Sequence, residues 1–119
     1  MSRLGLLSAL AALSITAACG SVGNNMSRGI TAYEQGDYPA AMNAWNELNG
    51  LEDDMSANTR TRYLLYRGLT YYALGVRHYA LMYLSRGRRE YGERKLGFLD
   101  DKTLEEVDRE LTDLLHTDR

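Results

Sequence analysis

Few side chains in this 119-residue chain could do chemistry. Cys19 is its only cysteine, and His78 and His116 are its only histidines. The histidines fall in different predicted elements, with no Cys, Asp or Glu around them at metal-ligand spacing, so no metal is expected. Neither has a Ser or Cys arrangement that would pair a nucleophile with a base. Asp53/Asp54 and Glu105/Glu106 are adjacent pairs, so their carboxylates diverge, and both lie in charged, solvated stretches. No glycine-rich phosphate loop occurs, because the glycines fall at predicted helix bends. No enzyme activity and no cofactor are expected. What remains is one thiol and an abundance of tyrosine, nine in all, six of them between Tyr63 and Tyr83.

The position of the thiol gives it a use. Met1-Ser2-Arg3 is a short positive start, and Leu4 to Ala18 is uncharged and rich in Leu and Ala. That run is shorter than the ~20 residues of a bilayer span. It fits the apolar core of a secretory signal over residues 1–18, with Thr16-Ala17-Ala18 as the small residues before cleavage. An exported chain with one cysteine cannot form an internal disulfide. Ile15-Thr16-Ala17-Ala18-Cys19-Gly20 resembles a bacterial lipobox, with Thr16 standing where Leu is usual. The resemblance implies acylation of Cys19, and Gly20 resembles the outer-membrane sorting pattern. The chain would then face the periplasm, with residues 19–24 as lipidated cysteine and short tether. Simple cleavage before Cys19 by the general signal peptidase is the alternative.

The elements that follow are all helical, since no stretch sustains period-two alternation. Ser21 to Asn25 reads as a polar linker, and Asn24 or Asn25 as the cap of a first helix running to Gln35. Gly36 ends it, Asp37 caps the next with Pro39 in its first turn, and that helix runs through Trp45 to about Leu48. Asn49-Gly50 opens an acidic loop to Met55. Ser56 caps a longer third helix ending at Leu74 before Gly75. A fourth spans about Val76 to Arg89, and Tyr91 to Asp100 reads as a loop whose Leu96, Phe98 and Leu99 pack down. A fifth begins at Asp101 or Thr103, where Leu104, Val107, Leu111 and Leu114 hold the 3, 4, 3 spacing of one face.

Residues 28–36, RGITAYEQG, return 39 positions later as RGLTYYALG, and Ala41 returns as Ala80. Each unit reads as two helices joined at a glycine. Gly29 and Gly68 fall mid-helix, where glycine costs about 1 kcal/mol against alanine and calls for close packing. Ala41 and Ala80 are expected to meet them, with Trp45 and Leu84 filling the space beyond.

The pattern Gly29, Tyr33, Gly36, Tyr38, Ala41, Trp45, met again by Gly68, Tyr71/Tyr72, Gly75, Ala80 and Leu84, resembles the tetratricopeptide repeat. The resemblance covers residues 25–90 as two units, 25–55 and 56–90, with 91–119 left as a loop and a C-terminal capping helix. It lacks the family's early Trp and closing Pro, and its period exceeds the usual 34. The resemblance implies a concave groove lined by Met26, Ile30, Tyr33, Arg62, Leu65, Leu69 and Tyr72, suited to a peptide segment. The alternative is that the fifth helix occupies the groove. The outer face of that helix, with Glu105, Glu106, Asp108, Arg109 and Asp113, reads as solvated.

The chain carries 14 Lys/Arg against 16 Asp/Glu, a net −2, unevenly spread. The mild net acidity argues against general nucleic-acid binding, although residues 60–99 are basic and both flanks are acidic. The reading that follows is a lipid-anchored periplasmic adaptor or assembly scaffold for a protein or peptide segment of an envelope complex, with self-association as a further option. One rival is a structural envelope lipoprotein whose basic Arg77–Lys95 face contacts lipid headgroups, and a second is an enzyme accessory or small-ligand carrier.

Overall fold

The computed structural model describes residues 21–117. Cys19 and the signal-like stretch 1–18 lie outside them. The described residues are all-helical outside their turns. Helix α1 covers 21–34, α2 Tyr38–Glu47, α3 Ala57–Ala73, α4 Arg77–Glu93 and α5 Asp101–Thr117, with a short 3-10 turn at Glu52–Asp54.

The repeat is visible in the backbone. At the first bend Gly36 adopts φ +78°, its N–H donating to Tyr33 O, while Asp37 N–H donates to Ala32 O at 2.8 Å. At the second, Gly75 adopts φ +80°, its N–H donating to Tyr72 O, and Val76 N–H donates to Tyr71 O at 2.9 Å. Both bends satisfy the last carbonyls of a helix through a left-handed residue, where glycine carries no Cβ penalty. Asp37 then caps α2 by accepting from Ala40 N–H, and Ser56 caps α3 by accepting from Thr59 N–H.

Close helix crossing is real, but the residues over the glycines differ from those expected. A Cβ on Gly29 would lie 2.5 Å from the Trp45 ring, and one on Gly68 would lie 2.7 Å from Leu84. The large residues, not Ala41 and Ala80, are the nearest atoms. Both alanines are fully buried nearby, leaving room for the helices to approach. Gly87 makes a third such crossing, against Leu65.

The seam between the two helix pairs is built on Arg67, which is only 5% exposed. Its guanidinium donates to Trp45 O at 3.2 Å, to Asn46 Oδ1 and to the hydroxyls of Tyr63 and Tyr71. Trp45 Nε1 in turn donates to Thr70 Oγ1 at 2.9 Å. A buried charge needs this density of acceptors, because desolvation without partners costs several kcal/mol.

Three expectations about boundaries are corrected. Residues 21–25 are helical rather than a linker, so neither Asn24 nor Asn25 caps α1. Val22 and Met26 extend its apolar face into the core of the first pair, and Asn25 is buried with its amide directed to Ser21 Oγ. Helix α4 runs on past Arg89 to Glu93, because Tyr91 is buried under α5's cluster and anchors another turn. Its end comes at Lys95, which takes the left-handed conformation at φ 51°. Gly92 stays inside the helix.

Candidate recognition cleft

Helix α5 lies against the face expected to be an open groove. Its Val107 and Leu114 are fully buried in one cluster with Leu65, Leu69, Ala80 and Leu84, flanked by Leu104 and Leu111. The apolar groove is therefore filled, and Leu65 and Leu69 are core. The reason is reciprocal: the second helix pair has no third unit to cover its inner face, and α5 has an apolar stripe to bury. Each covers the other within one chain. Met26 is likewise core, in the cluster of Trp45 and Leu48.

Alongside that stripe α5 carries a polar one, Thr103, Glu106, Glu110 and Asp113, again at 3, 4, 3 spacing. It meets a row of tyrosines. Tyr66 meets Thr103, the Tyr33 hydroxyl donates to Glu106, and the Tyr72 hydroxyl donates to Asp113 Oδ2 at 2.6 Å. Arg77 Nη2 joins Asp113 at 3.2 Å, and Arg88 pairs with Asp108 at 2.8 Å. The reading of Glu106 and Asp113 as a solvated outer face is corrected accordingly, since both meet tyrosines; Glu105, Asp108 and Arg109 are exposed as expected.

These contacts set the electrostatics of the seam. Burial, then the Glu106 carboxylate, pushes the Tyr33 hydroxyl far above the usual phenol range. The Tyr72 and Arg77 hydrogen bonds hold Asp113 below the usual carboxylate range. Glu110 is the exception in the row. It is 8% exposed, its Oε2 has no hydrogen-bond partner, and burial followed by repulsion from Glu106 raises it to about 8.

Where α5 departs from α1, a cleft of about 440 Å³ stays open. Tyr33, Tyr38 and Tyr66 wall it, Glu34, Asp100 and Glu106 bring negative charge, and Lys102 and Thr103 complete the lining. A smaller hollow of about 280 Å³ adjoins it through Tyr66, Asp100 and Thr103 and includes Ile30 and Arg62. Arg62 lies over the Phe98 ring, 4.7 Å from its centroid. Of the residues the resemblance assigns to a groove, Ile30, Tyr33 and Arg62 line the open part. Leu65 and Leu69 are covered by α5, and Tyr72 is engaged by it.

Of the cleft's own lining, sequence reasoning assigned only Tyr33 to a binding face and missed the rest, Thr103 and Glu106 among them. The available signal was the second stripe of α5, one position before the apolar one. A helix inserted between two surfaces shows two adjacent stripes, whereas a cap on one surface needs only the first.

A second, basic hollow of about 320 Å³ lies between the start of α3 and the end of α4. Glu90 pairs with Arg60 and, at 3.3 Å, with Arg94, while Arg86 and Arg89 are exposed beside them. Among the described residues no group of three His, Cys, Asp or Glu could hold a metal ion. His116 Nδ1 lies 2.7 Å from Thr112 O, and the His78 ring packs against Tyr79. Among the described residues no helix is long and apolar enough to cross a membrane. Comparison with protein families, curated proteins and solved structures finds no match to this chain.

Proposed function

We propose that this chain is an exported, membrane-anchored adaptor or assembly scaffold, held at the periplasmic face of the outer membrane through acylated Cys19. Its tetratricopeptide-like helix pairs hold a segment of an envelope protein. The observation that carries the reading is the tyrosine- and carboxylate-walled cleft that α5 leaves open on the inner face of the pairs. The filled apolar groove narrows the binding surface to that cleft, so recognition there is polar and aromatic rather than the docking of an apolar helix.

The test is a cross-linked pull-down from cell envelopes with the full chain as bait, beside Glu34→Ala/Tyr38→Ala. Both side chains border the cleft without a bond to α5, so the variant should fold. A discrete protein held by the unaltered chain and lost by the variant supports the adaptor. Equal recovery by both, or none, counts against it. Cys19→Ser, followed by membrane fractionation, tests the anchor separately.

The rival is contact with lipid headgroups through the basic face, and one observation favours it. The Arg60/Arg86/Arg89/Arg94 hollow lies at the end of the molecule opposite both glycine bends, which is also the end where α1 begins, close after Cys19. The acidic turn Glu52–Asp54 sits at that same end and works against it.

A further inference from the structure

Six aromatic rings among the described residues carry an arginine over one face. Arg67 lies over Tyr63, Tyr71 and Tyr83 at 5.0–5.7 Å from their centroids. Arg62 and Arg88 lie over Phe98 and Tyr91, themselves edge to face at 5.2 Å, and Arg77 lies over Tyr72. The cluster of Tyr33, Tyr38 and Tyr66 is different. Its rings are packed at 5.6 and 5.8 Å, tilted and edge to face, yet among the described residues no cation sits on any of them. Trp45 and Tyr79 carry no cation either, but Trp45 is fully buried and Tyr79 stands on the open surface, whereas these three rings wall a cleft.

The charge around it is complementary to a cation. Glu34, Asp100 and Glu106 line the cleft against Lys102, which is exposed. Deeper along the same face of α5, Glu110 is more than nine-tenths buried with Oε2 unpartnered. It lies behind the cleft lining, between Tyr33 and Tyr72, and burial keeps it protonated up to about pH 8, so it supplies an oxygen rather than a charge. The other polar residues of that stripe each meet a tyrosine; in Glu110 one oxygen, Oε2, is left buried without a donor. Tyrosine faces attract a cation through the ring quadrupole, and carboxylates at the rim fix its orientation. A cleft of this size takes one extended side chain with its neighbouring backbone, not a folded helix.

We propose that this cleft is a receptor for an ammonium or guanidinium group, an arginine or lysine side chain of the partner segment seated against Tyr33, Tyr38 and Tyr66 and held by Glu34, Asp100 and Glu106. The inference rests on the adaptor reading for the source of the cation, whereas the cleft's preference for cations does not.

The experiment titrates the chain from residue 19 onward with three probes, followed by NMR at low salt. The first is an uncharged Gly/Ser peptide carrying one arginine, the second the same peptide with citrulline, and the third spermidine. The arginine peptide is expected to bind saturably, shifting the ring signals of Tyr33, Tyr38 and Tyr66, while the citrulline peptide does not. Glu34→Gln/Asp100→Asn is expected to weaken binding about tenfold or more. Asp100 Oδ1 caps α5 by accepting from Thr103 N–H at 2.8 Å, a bond asparagine keeps, and the Tyr33–Glu106 contact is untouched; Glu34→Gln alone serves if the pair perturbs the fold. Equal binding of the citrulline peptide overturns the proposal. So do shifts scattered over the acidic surface, or no saturation by about 10 mM. Saturable binding of spermidine without the arginine peptide overturns the side-chain source and, with it, the adaptor reading, while keeping a cation site. Failure of all three probes alongside a cleft-dependent partner in the pull-down overturns the cation preference alone.

Discussion

The Tyr72 hydroxyl donates to Asp113 Oδ2 at 2.6 Å, joining the last turns of α3 and α5 across 41 positions of sequence. With Arg77 Nη2 donating to the same oxygen at 3.2 Å, this contact pins the C-terminal half of α5. Tyr72→Phe keeps the ring and removes the donor, and is expected to lower the melting temperature by about 2–5 °C near neutral pH. The pH dependence has a definite sign. Asp113 titrates below the usual carboxylate range in the folded chain, so its contribution is present above the unfolded value and is lost as pH falls through the folded one. The gap between the two proteins should therefore narrow in acid, below about pH 4. Thermal melts across that range check it.

Glu110 acts in the opposite direction. Its folded pKa of about 8 stands above the ordinary carboxylate value, so the unfolded chain holds fewer protons between those limits and stability falls as pH rises through that window. Glu110→Gln removes the titration. The variant is expected to melt on the order of 5 °C higher than the parent at pH 8 and close to it at pH 4. Melting curves of both proteins at the two pH values are the measurement.

The helix crossing at Gly29 makes a stability claim that can be read by rescue. Gly29→Ala drives a Cβ into the Trp45 ring and should cost about 1–3 kcal/mol by overpacking. In a Trp45→Leu background the added cost should shrink, because the offending ring is gone. Denaturant titration of the four proteins of this cycle gives the coupling.

Lys95 closes α4 at φ 51°, a conformation that costs a non-glycine residue roughly 1 kcal/mol. Lys95→Gly should stabilise the chain by a similar amount, read as a higher denaturation midpoint at unchanged slope. Lys95→Val should destabilise it.

How far the sequence could be read follows from how local each feature is. The bends at Gly36 and Gly75 were legible because a repeated glycine in a repeated phrase fixes a backbone conformation. The apolar stripe of α5 was legible because it is periodic within one helix. Arg67 was not, since Arg28 and Arg67 stand in identical phrases, yet Arg28 is exposed and Arg67 is buried. Only the second has another helix pair behind it. The end of α4 falls later than Arg89: the two glycines of 91–100 suggest a loop, whereas burial of Tyr91 carries the helix past Gly92. The cleft was legible in part: Ile30, Tyr33 and Arg62 followed from the resemblance, but Glu106 and Thr103 come from a helix whose docking site is set by tertiary contact.

Deleting residues 101–119 should uncover Leu65, Leu69 and Leu84 together. The truncated chain is expected to bind a hydrophobic dye and to melt well below the full chain. Unchanged stability would reject α5 as part of the core.

The most direct test of the account places a photo-crosslinking phenylalanine analogue at Lys102, an exposed position at the cleft with no part in holding the cation, and, in a second strain, at Met82 on the exposed face of α4. After illumination of intact cells, the account expects a discrete adduct from position 102, absent from position 82 and lost when Glu34→Gln is added. Adducts from both positions alike, or from position 82 alone, would contradict a partner held in the cleft.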